Sequence, residues 1–244
     1  MALPYAAFAL IYGTLLGDRF FAQARRNFER LRQRYGLQPA SAADVACGTG
    51  TFVRYLASLG LRRVYGVDRS MDMLALAVEK NRDNQARFFC QDLKTLRLPQ
   101  PVDLITCNFD SMNYLLTVDD LLRAFIMFHA NLKPEGCLVF DMITPYQPWR
   151  SLKPWVEQTL WNGILFQRRM EIVPRTGMQK SLVRITRDGR TSQEVHRQRV
   201  YPIQTVVALL RRANLLPLGA HDFYFLSPPT NTTRRVVYVA RKRA

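Results

Sequence analysis

Ala42-Ala43-Asp44-Val45-Ala46-Cys47-Gly48-Thr49-Gly50-Thr51-Phe52 reads as the end of a buried strand, a tight glycine turn and the start of a helix. Glycine adopts positive φ at little steric cost and lets a ligand approach the backbone closely. The helix that follows points its free N–H groups at whatever lies above the turn. Many strand–helix turns need a Gly-x-Gly for geometry alone, so the flanking acids carry the reading. Asp44 stands just before the turn. Val64-Tyr65-Gly66-Val67-Asp68 forms a second strand that ends in a carboxylate, and Phe88-Phe89-Cys90-Gln91-Asp92-Leu93 a third with an acid near its end. An acid at the tip of the second strand is the usual partner of ribose hydroxyls in a βαβ nucleotide site.

The dinucleotide fingerprint asks for a further glycine three residues after Gly50, and Val53 stands there instead. No Lys-Ser or Lys-Thr follows a glycine loop, which argues against a phosphate-cradling turn. A nucleoside cofactor without phosphates fits better. Further along come Asp103-Leu104-Ile105-Thr106-Cys107-Asn108-Phe109-Asp110-Ser111, and then Leu132-Lys133-Pro134-Glu135-Gly136 leading into Cys137-Leu138-Val139-Phe140-Asp141.

With these motifs in this order, the chain resembles a class I S-adenosylmethionine-dependent methyltransferase, most clearly over residues 40–145. In finer detail it is similar to the small-molecule branch with an antiparallel insert, on Glu194-Val195-His196-Arg197-Gln198-Arg199-Val200-Tyr201. The implied fold is α/β and doubly wound, a mostly parallel seven-stranded Rossmann-like sheet with an inserted antiparallel β cap. The chain is expected to be a single domain over residues 1–244. Within it, residues 1–40 form an amino-terminal lid segment, 41–143 the cofactor-binding core, 144–201 the cap insert and 202–244 the return to the core sheet.

The resemblance implies S-adenosylmethionine as cofactor, S-adenosylhomocysteine as product and no metal. Ala46, Cys47, Gly48 and Gly50 are expected around the methionine moiety, with Asp44 toward its ammonium. Asp68 is expected on the ribose hydroxyls, and Asp92 and the Leu93 N–H on the adenine. Arg69, Met73, Gln91 and Asn108 complete the expected cofactor set. Candidate catalytic residues are His196, Asp110 and Tyr114, and candidate substrate contacts are Tyr12, Asn113, Tyr146, Arg199 and Tyr201. Histidine titrates near neutrality and suits a base. Transfer from a sulfonium is an in-line displacement whose leaving group needs no protonation, so alignment and water exclusion dominate. The residues after the fourth strand are neither the Asn-Pro-Pro-Tyr of exocyclic base amines nor the Pro-Cys of cytosine C5 enzymes. The leading expectation is transfer to nitrogen or oxygen of a small acceptor. RNA methylation and a silent cofactor-binding partner are the alternatives.

The net charge of +16 is unevenly placed. Residues 41–149 hold eleven basic and twelve acidic side chains, whereas residues 150–244 hold eighteen basic and five acidic. Such asymmetry suits either a nucleic-acid surface or a solvated basic face. Trp149, Trp155 and Trp161, beside Arg150 and Lys153, keep the RNA alternative open. The four cysteines (Cys47, Cys90, Cys107, Cys137) fall in or at the ends of expected core strands without paired ligand spacing, and read as buried free thiols. The apolar start of the chain lacks a basic n-region and no stretch has the length of a membrane span, so a cytoplasmic protein is expected. An amphipathic helix is expected over Asp18–Tyr35, crossover helices over Thr51–Leu59 and Met71–Asn81, and a helix opened by acids over Asp119–Asn131. Three cap strands are expected at Leu165–Val173, Gln179–Arg187 and Ser192–Tyr201. A helix over Thr205–Asn214 and strands over Leu216–Phe225 and Val236–Ala240 then close the chain.

Overall fold

The computed structural model describes residues 18–146, 155–173 and 176–243. Tyr12 and Trp149 lie outside them. Helix α1 (Asp18–Arg34) turns Ala24, Phe28 and Leu31 inward and leaves Arg25, Arg26, Arg30 and Arg34 exposed. Then follow β1 (Ser41–Val45), α2 (Thr51–Ser58), β2 (Arg63–Asp68), α3 (Met71–Lys80) and β3 (Arg87–Cys90). Strand β4 (Val102–Cys107), helix α4 (Val118–Asn131) and β5 (Leu132–Ile143) complete the parallel half. The chain closes with α5 (Ile203–Arg212), β10 (Leu215–Asp222) and β11 (Arg235–Lys242).

The seven strands lie in the order β10-β11-β5-β4-β1-β2-β3, with β11 antiparallel to both of its neighbours. Strands buried on both faces need continuous apolar runs, and β1 is buried at all five positions. The strand order reverses between β1 and β4. A crevice therefore opens at their carboxyl ends, where ligands bind in doubly wound sheets. Phe125, Phe140 and Tyr238 fill the core on one face of the sheet; Phe28, Phe52 and Leu56 fill it on the other.

A separate antiparallel sheet runs β6 (Trp155–Trp161), β7 (Ile164–Val173), β8 (Met178–Arg187) and β9 (Arg190–Arg199). The expected cap is present with four strands rather than three. The extra strand is β6, an edge strand whose Val156 and Leu160 are exposed, so its sequence shows no clear alternation. On β9, Glu194, His196 and Gln198 are buried while Gln193 and Arg197 are exposed, as the period of two demands.

Other expectations shift by local chemistry. Strand β3 stops at Cys90, and Gln91-Asp92 lead into a 3-10 turn at Leu93–Thr95 with Asp92 as its cap. Cys90 is exposed rather than buried, because β3 is an edge strand. Pro202 starts α5 earlier than expected, since proline suits a helix start. The Lys133-Pro134-Glu135-Gly136 turn is absorbed into β5 as an irregularity, with Glu135 at φ 61° and shifted pairing to β4.

Candidate active site

Above the carboxyl ends of β1, β2 and β4 lies a cavity of about 310 Å3. The quoted glycine stretch forms its floor. Ala46, Gly48 and Gly50 have φ of 57°, 53° and 71°. At Gly50 a β-carbon would come within 2.9 Å of Ala77 Cβ on α3, so this glycine serves helix packing as well as turn geometry. At Gly48 the nearest atom would be Met73 Sδ at 4.0 Å, so conformation and open space above the backbone are what it supplies. Gly66 leaves room for the Phe88 ring and for Val53, the residue that stands where the dinucleotide fingerprint has its further glycine.

Two carboxylates stand in the cavity wall, Asp44 buried and Asp68 half-buried. Asp44 Oδ1 accepts from Thr106 Oγ1 at 2.7 Å and Asn108 Nδ2 at 3.4 Å. Asp68 accepts from the N–H of Gly48 and of Ser70, each at 2.9 Å. Burial pushes the Asp44 carboxyl up to about 7, and burial also raises Asp68. Neither forms an ion pair among the described residues. Such acids favour a ligand that brings positive charge and hydroxyl donors.

Of the expected cofactor residues, Asp44, Ala46, Cys47, Gly48, Asp68, Arg69, Met73, Gln91, Asp92, Leu93 and Asn108 line the cavity. Gly50 sits beneath them. Phe21 of α1 and Phe52 of α2 add apolar wall that no sequence motif announced. Ser70 also lines it while capping α3 through the Met73 N–H.

Toward the cap the cavity is lined by Phe109, Ser111, Tyr114, Leu115, Leu116 and Asp120. Phe109 and Asp110 both take left-handed conformations, φ 61° and 50°. Such strain persists only where neighbours over-determine it. Here Asp141 accepts from both N–H groups, at 2.6 and 3.1 Å. Arg235 bridges Asp141 and Asp110, and its guanidinium lies 5.3 and 5.4 Å from the Phe20 and Phe223 ring centres. Asp110 is thus held by Arg235 and by Gln198 Nε2.

The other candidates separate by depth. Tyr114 faces the cavity and its hydroxyl lies 2.8 Å from His196 Nδ1. Asn113 is fully buried, bonding Ile143 and the Arg199 carbonyl. Arg199 donates to the Leu116 carbonyl and lies over the Tyr201 ring, while Tyr201 bonds the Leu115 carbonyl. Tyr146 is half-buried away from the cavity lining. Glu194, Asp141 and Arg235 are the residues that sequence reading missed. Asp141 carried a signal, since it ends a core strand as Asp44 and Asp68 do.

A family model described as a methyltransferase domain matches residues 42–136. A protein of Geobacillus sp. (strain WCH70) with a provisional methyltransferase assignment is 28% identical over 257 residues, spanning 98% of this chain and 100% of the relative. A dTDP-3-amino-3,6-dideoxy-alpha-D-glucopyranose N,N-dimethyltransferase of Streptomyces fradiae is 34% identical over 119 residues, 49% of this chain and 43% of that enzyme. The crystal structure of an S-adenosylmethionine-dependent methyltransferase from Clostridium acetobutylicum superimposes with a TM-score of 0.86 at 26% identity, covering 98% of this chain and 99% of that one. Fold, site and relatives together identify the chain as a class I S-adenosylmethionine-dependent methyltransferase, an enzyme with S-adenosylmethionine as its cofactor. Among the described residues no helix is long and apolar enough to cross a membrane.

Proposed function

We propose that the enzyme methylates an amino nitrogen of a small polar acceptor, with a nucleotide-linked amino sugar as the leading class. The observation that carries this reading is the continuous cavity running from the paired acids Asp44 and Asp68 to Tyr114 and Asp120 under the cap. The Streptomyces relative's activity on a dTDP-amino sugar supports the choice of nitrogen.

When bound, S-adenosylmethionine supplies an electrophilic methyl on sulfonium. Asp44, ionised, would attract the cofactor's ammonium, and Asp68, which keeps the Gly48 turn closed, would accept from its ribose hydroxyls. Asp92 uses one carboxylate oxygen to cap the 3-10 turn, and its other oxygen is assigned to the adenine amino group. Phe21 and Phe52 exclude water from the cofactor end. Alignment of nitrogen, methyl and sulfur then accounts for most of the acceleration. No Lewis acid is required by a sulfonium leaving group, so transfer should continue in the presence of a chelator.

RNA is the less favoured acceptor on the geometry of the arginines. Arg168 lies on the inward side of the cap and pairs with Glu157 at 3.0 Å, and Arg199 bonds the Leu116 carbonyl at 3.1 Å. Both are thus engaged within the protein.

Mass spectrometry of reactions with dTDP-amino sugars, free amino sugars and RNA tests the reading. Methylated amino sugar is expected; transfer to RNA alone overturns it. The cofactor assignment has its own signature. Because the Asp44 carboxyl sits at about 7, protonation competes with the cationic ligand as the pH falls through that value. Affinity should drop by up to about tenfold per pH unit below it. Asp44→Asn should bind weakly at pH 8 and show little pH dependence, measured by calorimetry.

A further inference from the structure

We infer that Tyr114, His196 and Glu194 form a proton relay opening onto the acceptor end of the cavity, with Tyr114 as the group that touches the acceptor and the other two as positioning residues. The inference rests on the proposal that the acceptor is an amine. Tyr114 ends the 3-10 turn Ser111–Tyr114 and lines the cavity. Its hydroxyl is 2.8 Å from His196 Nδ1, with the two rings edge to face at 6.1 Å and 69°. His196 Nε2 lies 3.2 Å from Glu194 Oε2. Both β9 residues are buried, at 5% and 4% exposure, on the inward side of the cap.

Donor and acceptor inventory orients the chain of bonds. A carboxylate accepts only, so the imidazole proton resides on Nε2 toward Glu194. Nδ1 then accepts, and the Tyr114 hydroxyl donates to it. In this relay the phenol oxygen of Tyr114, which lines the cavity, accepts from an acceptor N–H. This is the carboxylate–imidazole–hydroxyl logic of nucleophilic triads, with the hydroxyl serving as proton acceptor rather than nucleophile.

The scaffold holds the spacing. Asn113, next to Tyr114, accepts from Ile143 N–H and donates to the Arg199 carbonyl at 2.8 Å. Arg199 donates to the Leu116 carbonyl at 3.1 Å, and Tyr201 bonds that of Leu115. The turn that carries Tyr114 is therefore stitched to the strand that carries Glu194 and His196.

An ammonium acceptor passes one proton to the Tyr114 oxygen as the phenol proton moves to His196 Nδ1. This leaves a neutral amine and an imidazolium facing the Glu194 carboxylate. The nitrogen lone pair then forms the N–C bond while the C–S bond breaks and its electron pair stays on sulfur. The product leaves as a methylated ammonium, and the imidazolium proton returns to solvent.

Two measurements on the full chain test the relay. With a dTDP-amino sugar as probe, Tyr114→Phe should lower kcat by about 100-fold or more while cofactor affinity stays within about twofold. His196→Gln should match it, and Glu194→Gln should lose about tenfold. Nitrogen NMR of the unliganded protein, with His196 assigned through His196→Gln, should show the Nε2-protonated neutral tautomer. If the wild type methylates the probe and Tyr114→Phe retains more than half of kcat, the relay is overturned and the amine reading stands. If the wild type methylates no amine probe, the amine reading fails. The NMR then decides the relay's orientation by itself: an Nδ1-protonated tautomer overturns it, and the Nε2 form sustains it.

Discussion

The two ends of the cavity are built in opposite ways. The cofactor end comes from residues close together in the chain, and its polar groups are left open toward the ligand. Asp44 (buried) and Asp68 (half-buried) are acids without ion-pair partners among the described residues, raised by desolvation. The acceptor end joins residues far apart and satisfies them within the protein. Asp110, Asp141 and Arg235 form one closed ion cluster, and Tyr114, His196 and Glu194 one hydrogen-bonded chain. Under the proposed function, the open acids recognise a cation that arrives with the ligand. The closed clusters hold a strained turn in place so that the proposed small acceptor meets fixed geometry.

The largest effect should come from opening the closed cluster. Arg235→Met leaves Asp110 and Asp141 without their guanidinium. Breaking a buried pair costs about 3–5 kcal/mol, because an uncompensated charge remains. Urea denaturation should show that loss, and adding Asp141→Asn should restore part of it. A loss below about 1 kcal/mol would mean that the cluster does not carry the turn.

A smaller effect, read in binding, should come from the open end. Asp68→Ala should weaken S-adenosylmethionine by about 1.5–3 kcal/mol, roughly tenfold to a hundredfold, in calorimetry. The Gly48 and Ser70 N–H groups lose their acceptor in this variant, so a modest fall in melting temperature should accompany the lost affinity. Unchanged affinity would break the ribose assignment and with it the contrast between the two ends.

The smallest effect is expected outside both ends. Arg169, Arg184 and Arg197 are exposed on the outward side of the cap. Reversing all three to glutamate should leave kcat/KM for a small acceptor within about twofold and stability within about 0.5 kcal/mol. A loss of transfer together with loss of salt-sensitive RNA binding would move the acceptor from small molecule to nucleic acid.

Legibility followed the same divide. The cofactor end is written in contiguous pieces, Asp44 to Gly50, Val64 to Asp68 and Gln91 to Leu93, because a strand, its turn and the next helix are neighbours in sequence. Eight of the eleven expected cofactor residues that line the cavity lie in these pieces, and Arg69, Met73 and Asn108 lie outside them. Periodicity likewise located the parallel strands and three of the four cap strands. Strand β6 stayed hidden because it is an edge strand whose Val156 and Leu160 are exposed, so no alternation of apolar and polar residues marks it.

By itself the sequence determined the doubly wound fold, the glycine turn and the acids at the strand tips, all of which depend on local backbone geometry and hydrophobic period. Only the tertiary structure decided that Arg235 holds Asp141 and Asp110, 94 and 125 residues away in the chain. It also decided that His196 reaches Tyr114 across 82 residues. It separated inward Arg168 from outward Arg169, although both add equally to the net charge. Burial and long-range pairing give a titratable side chain its role. Both are set by which elements pack together, which no spacing along one strand records.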